Sequence, residues 1–229
     1  MSKTIRAVVF DFDGLILDTE GPVYQSWQEL FESFGCQLPF SMWANNIGTA
    51  EEPLEPFDLL EAQLGHAVDR EALNPKRVQR ELDLIAKQPL LPGVLETIQE
   101  ARSLGLKLGI ASSSSCRWVT GHLKERALLS FFDCIRCANH VERTKPYPAL
   151  YHAVLAGLQV SAEEAIALED SPNGILAAKR AGLFCVAVPN PLTRLLALDH
   201  ADLQLNSLTD LPLRELITIA EKDGHLLHP

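Results

Sequence analysis

Four apolar runs recur along the chain, and segments with helical periodicity separate them. The runs span residues 5–10, 106–111, 165–168 and 184–188. Because these runs lack polar alternation, they predict strands that are buried on both faces of a parallel sheet. Their alternation with helices favours an α/β fold built on a doubly wound, mostly parallel sheet. A weaker fifth strand is predicted over residues 134–138.

A long helical insert is predicted between the first two strands. About ninety residues separate these strands, far more than the dozen or so that a βα crossover needs. Apolar residues recur at helical spacing within the interval, in the stretches Glu20–Phe34, Leu54–Leu64 and Val78–Ile85. The insert is therefore expected to fold as an all-helical cap.

Two short segments are expected to join the insert to the sheet domain. Asp18 and Thr19 have side chains that can cap a helix, and the prolines at positions 89 and 92 interrupt one. The expected domains are an α/β core over residues 1–17 and 90–229 and a helical cap over residues 18–89.

Composition narrows the choice of partners. The chain has 229 residues, of which 47% are hydrophobic and 22% charged, as in an ordinary globular protein. A net charge of −10 leaves no basic face for many phosphate contacts along a nucleic acid. The apolar runs are far shorter than the ~20 residues that cross a bilayer. Neither nucleic acid nor a membrane is therefore expected as a partner.

The cysteines and the N-terminal segment favour a cytoplasmic location. The five cysteines are an odd number and are scattered, which suits reduced thiols. Lys3 and Arg6 flank a short strand-like run that lacks the features of a secretory signal. Of these cysteines, Cys134 and Cys137 are interpreted as small buried hydrophobes rather than a metal or redox pair. Trp118 is interpreted as a packing residue.

Two aspartates close the first predicted strand, in the segment Phe10-Asp11-Phe12-Asp13-Gly14. Side chains alternate along a strand, so Asp11 and Asp13 are expected to project to the same side. Ligands of open α/β sheets bind outside the carboxyl ends of the strands, where this pair would lie. Turn formation explains an isolated motif of this kind equally well.

A second acidic pair, Glu169-Asp170, follows the predicted strand 165–168 and precedes a helix start at Ser171. Carboxylates gathered at one sheet edge repel one another, and a hard divalent cation relieves the repulsion. Oxygen ligands fit Mg²⁺, whereas zinc favours histidine or cysteine. The sequence therefore predicts a Mg²⁺ site at this edge.

Ser112 and Lys145 add two groups that suit an anion. Ser112 ends the strand 106–111, so its hydroxyl also lies at the sheet edge. Lys145 precedes Pro146, which favours an extended backbone, and its ammonium group suits a phosphate or a carboxylate. Taken separately, each residue is compatible with a purely structural role.

Together these motifs resemble the haloacid dehalogenase superfamily. The shared order is Asp-x-Asp-Gly-x-x-x-Asp-Thr, strand-Ser, Lys-Pro and strand-Glu-Asp-Ser-x-x-Gly, from Asp11 to Gly174. The helical insert resembles the branch that includes phosphosugar phosphatases, phosphoglycolate phosphatase and β-phosphoglucomutase. The resemblance implies a Rossmann-like core and a Mg²⁺-dependent phosphatase of small phosphate monoesters, such as sugar or polyol phosphates, acting through an aspartyl-phosphate.

The resemblance also implies a role for each motif residue. Asp11 would be the nucleophile, and Asp13 would be the general acid and then the general base. Ser112, the amide of Ser113 and Lys145 would bind the phosphoryl oxygens. The implied Mg²⁺ ligands are the Asp11 carboxylate, the Asp13 backbone carbonyl, Asp170, and Glu169 either directly or through water.

Substrate contacts are implied at Ser114, Asn46 and Thr49. Ser114 matches a position that reaches a second substrate phosphate, and its alternative role is to cap the helix that begins near Cys116. Asn46 and Thr49 lie in the cap loop that contacts the leaving group in relatives. The phosphoglucomutase pattern carries an arginine after the loop glycine, whereas this chain has no lysine or arginine between Glu20 and Arg70.

Hydrolysis is therefore favoured over phosphoryl return to a sugar. Two alternatives stay open at this point, a β-phosphoglucomutase-like mutase and a phosphate-binding protein without turnover. The expected partner is a small phosphate ester, and the expected assembly is a monomer or a weak dimer.

Overall fold

A computed structural model of the chain describes residues 4–43 and 55–223. Its contacts divide the chain into two compact units. The first combines Met1–Leu17 with Leu90–Pro229, and the second is Asp18–Pro89. Within the described ranges, no helix is long and apolar enough to cross a bilayer.

The first unit is built on a parallel sheet, as the apolar runs predicted. Among the described residues the sheet has six strands in the order β3-β2-β1-β4-β5-β6. The strands are β1 Ala7–Phe10, β2 Lys107–Ala111, β3 Cys134–Arg136, β4 Ala165–Glu169, β5 Phe184–Ala187 and β6 Leu203–Gln204. The strand order reverses between β1 and β4, which is where an open α/β sheet binds its ligand.

Strand register brings three chain segments to one level at this reversal point. Phe10 of β1 lies opposite Ile110 of β2 and Leu168 of β4. The next residue of each strand therefore stands at the same edge. All four residues of β1 are fully buried, as a central strand covered on both faces requires.

Five helices accompany the described strands of this unit. They are α5 Val94–Ser103, α6 Cys116–Glu125, α7 Ala149–Leu158, α8 Pro172–Arg180 and α9 Leu213–Asp223. The labels α1 to α4 belong to the described helices of the second unit. α7 and α8 pack on the sheet face that carries Ala7, Val9 and Ala167. Gly109 of β2 makes this packing possible, because a Cβ there would overlap the Val154 side chain.

The second unit is helical, as the periodicity predicted. Its described helices are α1 Glu20–Ser33, α2 Phe40–Trp43, α3 Pro56–Leu64 and α4 Arg70–Ile85. Arg80 of α4 makes a bidentate ion pair with Glu29 of α1, with N–O distances of 2.7 and 2.8 Å. The Trp27 ring packs edge-on against Phe57 and lies under the Arg77 guanidinium.

The starts of two helices in this unit can be compared with the sequence prediction. α4 begins at Arg70 rather than Val78, because the Asp69 side chain accepts the Ala72 N–H and caps a polar first turn. α1 begins at Glu20, as predicted, after Asp18 and Thr19, whose side chains can both cap a helix. Only the Asp18 side chain does so, through the Gly21 N–H at 2.9 Å.

The central strands give a stability prediction. Leu108 of β2 is fully buried, so Leu108→Ala should lower the free energy of unfolding by about 2–5 kcal/mol through lost burial and a cavity. Leu195 is 65% exposed, and Leu195→Ala is the control, expected to stay within about 0.5 kcal/mol of wild type. Denaturant unfolding followed by circular dichroism measures both. Equal losses in the two variants would contradict the assignment of the core.

Candidate active site

A buried lysine joins two strand ends at the reversal point. Asp11 follows β1, Glu169 ends β4, and Lys145 comes from the segment between β3 and α7. The Lys145 ammonium lies 2.6 Å from an oxygen of Asp11 and 2.6 Å from an oxygen of Glu169. All three side chains are buried. The structure therefore brings together residues that the sequence separates by more than 150 positions.

Three carboxylates crowd around this lysine. Asp11, Glu169 and Asp170 each offer an oxygen, and these oxygens lie within 4.8 Å of one another. One lysine cannot neutralise three carboxylates in a buried site. Oxygen Oε2 of Glu169 is buried and has no hydrogen-bond partner among the described residues. These carboxylate oxygens are hard ligands, they carry excess negative charge and one of them lacks a hydrogen-bond partner, so the group fits a divalent cation.

The same crowding shifts the pKa values of the charged groups. Burial raises the pKa of Asp11 to about 7, with a further contribution from the nearby Glu169 and an opposing one from Lys145. Burial alone would lower the pKa of Lys145, yet the Asp11 and Glu169 carboxylates hold it above its usual value. Lys145 therefore remains a cation, while Asp11 needs further positive charge to be fully ionised at neutral pH.

Asp13 lies beside this cluster but in a different hydrogen-bond environment. Its Oδ2 accepts from the Ser114 hydroxyl at 2.6 Å and from the Ser112 hydroxyl at 3.3 Å. Its Oδ1 accepts from the Trp118 indole N–H at 2.8 Å. Asp13 is half-buried, so its carboxylate is both oriented and accessible. The two aspartates of the first motif thus have different surroundings.

The neighbours of Asp13 correct two sequence interpretations. Ser115, not Ser114, caps α6, because the Ser115 hydroxyl accepts the backbone N–H of Trp118. Capping is therefore excluded as the role of Ser114. Trp118 was interpreted as a packing residue, yet its indole N–H binds a carboxylate in the site. Ser114 lies just before α6 and Trp118 lies in its first turn, so both residues are close in sequence to the end of β2.

Two further residues support the acidic cluster, and sequence reasoning missed both. The Tyr151 hydroxyl donates to Glu169 at 2.5 Å, and the Asn190 amide donates to Asp170 at 2.9 Å. Asn190 follows β5, and the strand-end rule that selected Asp11 and Glu169 could have selected it. Tyr151 lies within the apolar helix α7, where no local signal marks it.

Two glycines let the backbone approach these carboxylates. Gly14 has φ of +81°, and a Cβ there would overlap the Asp170 carboxylate and the Asn190 amide. A Cβ at Gly174, near the start of α8, would overlap the Glu169 carboxylate. The acidic cluster is therefore enclosed by backbone as well as by side chains.

Three other predicted substrate contacts stay predictions, and the one at Ser113 concerns its backbone amide. Ser113 follows Ser112 directly, and its side chain is exposed. Asn46 and Thr49 lie outside the described residues. The structure thus brings together Asp11, Asp13, Ser112, Ser114, Lys145, Glu169 and Asp170.

Comparison with known proteins gives related sequences along nearly the whole chain. The family model described as haloacid dehalogenase-like hydrolase matches residues 8–188. YhcW of Bacillus subtilis (strain 168) is 45% identical over 213 residues, covering 93% of this chain and 96% of that protein. Hexitol phosphatase B of Escherichia coli (strain K12) is 30% identical, covering 94% of this chain and 98% of that protein. β-Phosphoglucomutase of Bacillus subtilis (strain 168) is also 30% identical, with coverages of 93% and 94%.

The pKa of Asp11 gives a pH prediction for the metal-free protein. Folding raises this pKa from 3.8 to about 7, so the resulting stabilisation is complete below pH 3.8 and is lost as the pH rises through about 7. Between about pH 4 and 8, the free energy of unfolding of wild type should fall by at least about 1 kcal/mol more than that of Asp11→Asn, which cannot titrate.

Denaturant unfolding at a series of pH values, in the presence of a chelator, measures this difference. Asp199 is exposed, so Asp199→Asn is the matched control and should keep the wild-type slope. A wild-type slope equal to that of Asp11→Asn would show that Asp11 does not carry the buried charge.

Proposed function

The chain belongs to the haloacid dehalogenase-like hydrolases, and we propose that it is a Mg²⁺-dependent phosphatase of small phosphate monoesters. The observation that carries this proposal is the buried Asp11–Lys145–Glu169 contact beside Asp170, at the reversal point of a parallel sheet. A carboxylate cluster that requires a cation, beside a buried lysine, can bring two positive charges to a dianionic phosphoryl group. A sheet edge with a purely structural role does not require such a cluster of charges.

Asp11 is the proposed nucleophile. One of its carboxylate oxygens attacks phosphorus, forming an aspartyl-phosphate as the bond from phosphorus to the ester oxygen breaks. The Lys145 ammonium lies 2.6 Å from Asp11 Oδ1, so it can stabilise the negative charge on the phosphoryl oxygens during the transfer. The Ser112 hydroxyl at the end of β2 supplies a neutral donor to the same group.

Asp13 is the proposed acid and base. In the first step it gives a proton to the departing alkoxide, and in the second it accepts a proton from the attacking water. The water oxygen then bonds to phosphorus, inorganic phosphate leaves, and the Asp11 carboxylate is regenerated. The hydrogen bonds from Ser114 and Trp118 fix the direction of the Asp13 carboxylate for both transfers.

Mg²⁺ is the cation that best fits the donor set. Asp11 and Asp170 would bind it directly, together with the Asp13 backbone carbonyl, and Glu169 would bind it directly or through water. Bound there, the cation would supply the positive charge that ionises Asp11 and offsets the charge of the substrate phosphate. The unsatisfied oxygen of Glu169 and the raised pKa of Asp11 both support a cation at this position.

Sugar or polyol phosphates are the proposed substrate class, and the helical unit Asp18–Pro89 is the proposed cap. The absence of lysine and arginine from residues 21–69 disfavours a second phosphate on the substrate. Hexitol phosphatase B supports a polyol phosphate, whereas the equally similar β-phosphoglucomutase keeps a mutase as the second candidate. Product analysis distinguishes the two.

The nucleophile is tested by substitution and by product analysis. With Mg²⁺ and a panel of hexitol and sugar phosphates, wild type should release inorganic phosphate, and Asp11→Asn should lower kcat by at least about 10³-fold because the attacking oxygen is lost. A chelator should abolish the wild-type activity, and added Mg²⁺ should restore it. Asp199→Asn, on the exposed surface, should retain wild-type activity.

Two outcomes would contradict this proposal. Equal activity in Asp11→Asn and wild type would exclude Asp11 as the nucleophile. Isomerised sugar phosphate without phosphate release would identify a mutase instead.

The role of Trp118 gives a separate prediction. Trp118→Phe keeps an aromatic ring but removes the N–H bound to Asp13, a hydrogen bond to a charged group that is worth about 1.5–3 kcal/mol. We expect kcat to fall by roughly 10- to 100-fold with KM little changed, because Asp13 loses its orientation. Steady-state kinetics measure both constants. An unchanged kcat would show that the indole serves packing alone.

A further inference from the structure

Two cysteines and a histidine lie together beside the serine segment that follows β2. Cys116 is the first residue of α6, Cys137 follows β3, and His140 ends the short 3-10 turn Ala138–His140. Their potential ligand atoms lie within 4.8 Å of one another. The pairing differs from the one considered in the sequence, because Cys137 lies beside Cys116 whereas Cys134 packs against Gly157.

We propose that Cys116, Cys137 and His140 form a binding site for a thiophilic divalent cation, with Zn²⁺ as the best fit. Thiolate and imidazole are the ligands that zinc prefers, and three protein ligands leave a fourth position for water. Nothing in the proposed phosphatase chemistry uses these three side chains. The site therefore differs from the carboxylate cluster in its residues and in its ligand type.

The distances suit a tetrahedral ion. With Zn–S bonds of about 2.3 Å and Zn–N bonds of about 2.0 Å, a tetrahedron places sulfur and nitrogen ligands roughly 3.5 Å apart. Cys116 Sγ lies 3.4 Å from Nδ1 and 3.8 Å from Nε2 of His140. The spacing that zinc requires thus exists already, without a large movement of either side chain.

Backbone hydrogen bonds fix the segments that carry the three ligands. The Asn139 side chain accepts the Cys116 N–H at 2.9 Å, and the Ala138 N–H donates to the Ser114 carbonyl at 3.0 Å. His140 Nδ1 accepts the Cys137 N–H at 3.0 Å, so ligation through Nδ1 would exchange this bond for a metal bond. These segments therefore lose little conformational freedom when an ion binds, which favours a high affinity for the metal.

Access is compatible with a metal site, and ligation requires the ion to displace the thiol protons. His140 is exposed and Cys116 is partly exposed, so an ion can enter, while Cys137 closes the inner side. Burial, with the neighbouring Cys116, raises the pKa of the Cys137 thiol to about 12. Zinc binds thiolates, so any thiol proton on Cys116 or Cys137 passes to the buffer when the ion binds.

Metal binding in the presence of Mg²⁺ tests the proposal. The full chain is stripped with a chelator, kept reduced with a phosphine and held in excess Mg²⁺, which prefers oxygen ligands over this cluster. Titration with Co²⁺ should give a thiolate charge-transfer band and tetrahedral d–d bands, and Zn²⁺ should displace Co²⁺ with loss of the bands. Calorimetry then gives the Zn²⁺ affinity, and no step depends on enzyme activity.

Three variants distinguish zinc bound at this cluster from zinc bound elsewhere on the chain. Cys116→Ala and His140→Ala truncate side chains outside the core, and each should weaken Zn²⁺ binding at least tenfold. In Cys116→Ala the charge-transfer band should also weaken, because one of the two thiolate ligands is lost. Cys36 is another partly exposed free thiol, in the helical unit, and Cys36→Ala should bind like wild type. Thermal unfolding checks that all three variants fold.

Two results would overturn the proposal. One is equal Zn²⁺ affinity in wild type, Cys116→Ala and His140→Ala. The other is displacement of Zn²⁺ by Mg²⁺ in wild type, which would assign the bound zinc to the carboxylates.

Discussion

Burial of three carboxylates around one lysine is the constraint on which the rest of the site depends. Asp11, Glu169 and Asp170 meet because parallel strands end at one level, so the sheet itself enforces their repulsion. A buried charge without a partner costs several kcal/mol, and Lys145 compensates only part of the excess. A bound cation would remove the remainder, so the proposed function couples the stability of this edge to metal binding.

The two aspartates of the first motif lie two residues apart but have different environments. Asp11 is buried against Lys145, with its pKa raised to about 7 by burial. Asp13, two residues later, is half-buried and held by hydroxyl and indole donors. In the proposed mechanism, these different surroundings suit Asp11 to nucleophilic attack and Asp13 to proton transfer.

Local pattern predicted five of the six described strands, because a strand buried on both faces must be apolar throughout, and it missed the two-residue strand β6. It failed where three-dimensional packing decides. The Tyr151 hydroxyl reaches Glu169 from the apolar helix α7, and Trp118 reaches Asp13 from the first turn of α6. The start of α4 was misplaced because its first turns are polar, and only the Asp69 cap marks them.

The most direct measurement of the central claim is a crystal structure of the chain with Mg²⁺ and beryllium fluoride, an analogue of a carboxylate-bound phosphoryl group. We predict one Mg²⁺ bound by Asp11 and Asp170 and a beryllium trifluoride group bonded through beryllium to an oxygen of Asp11, with its fluorines within reach of Lys145 and Ser112. A cation held elsewhere, or a beryllium trifluoride group attached to any other side chain, would contradict the proposed phosphoryl-transfer site.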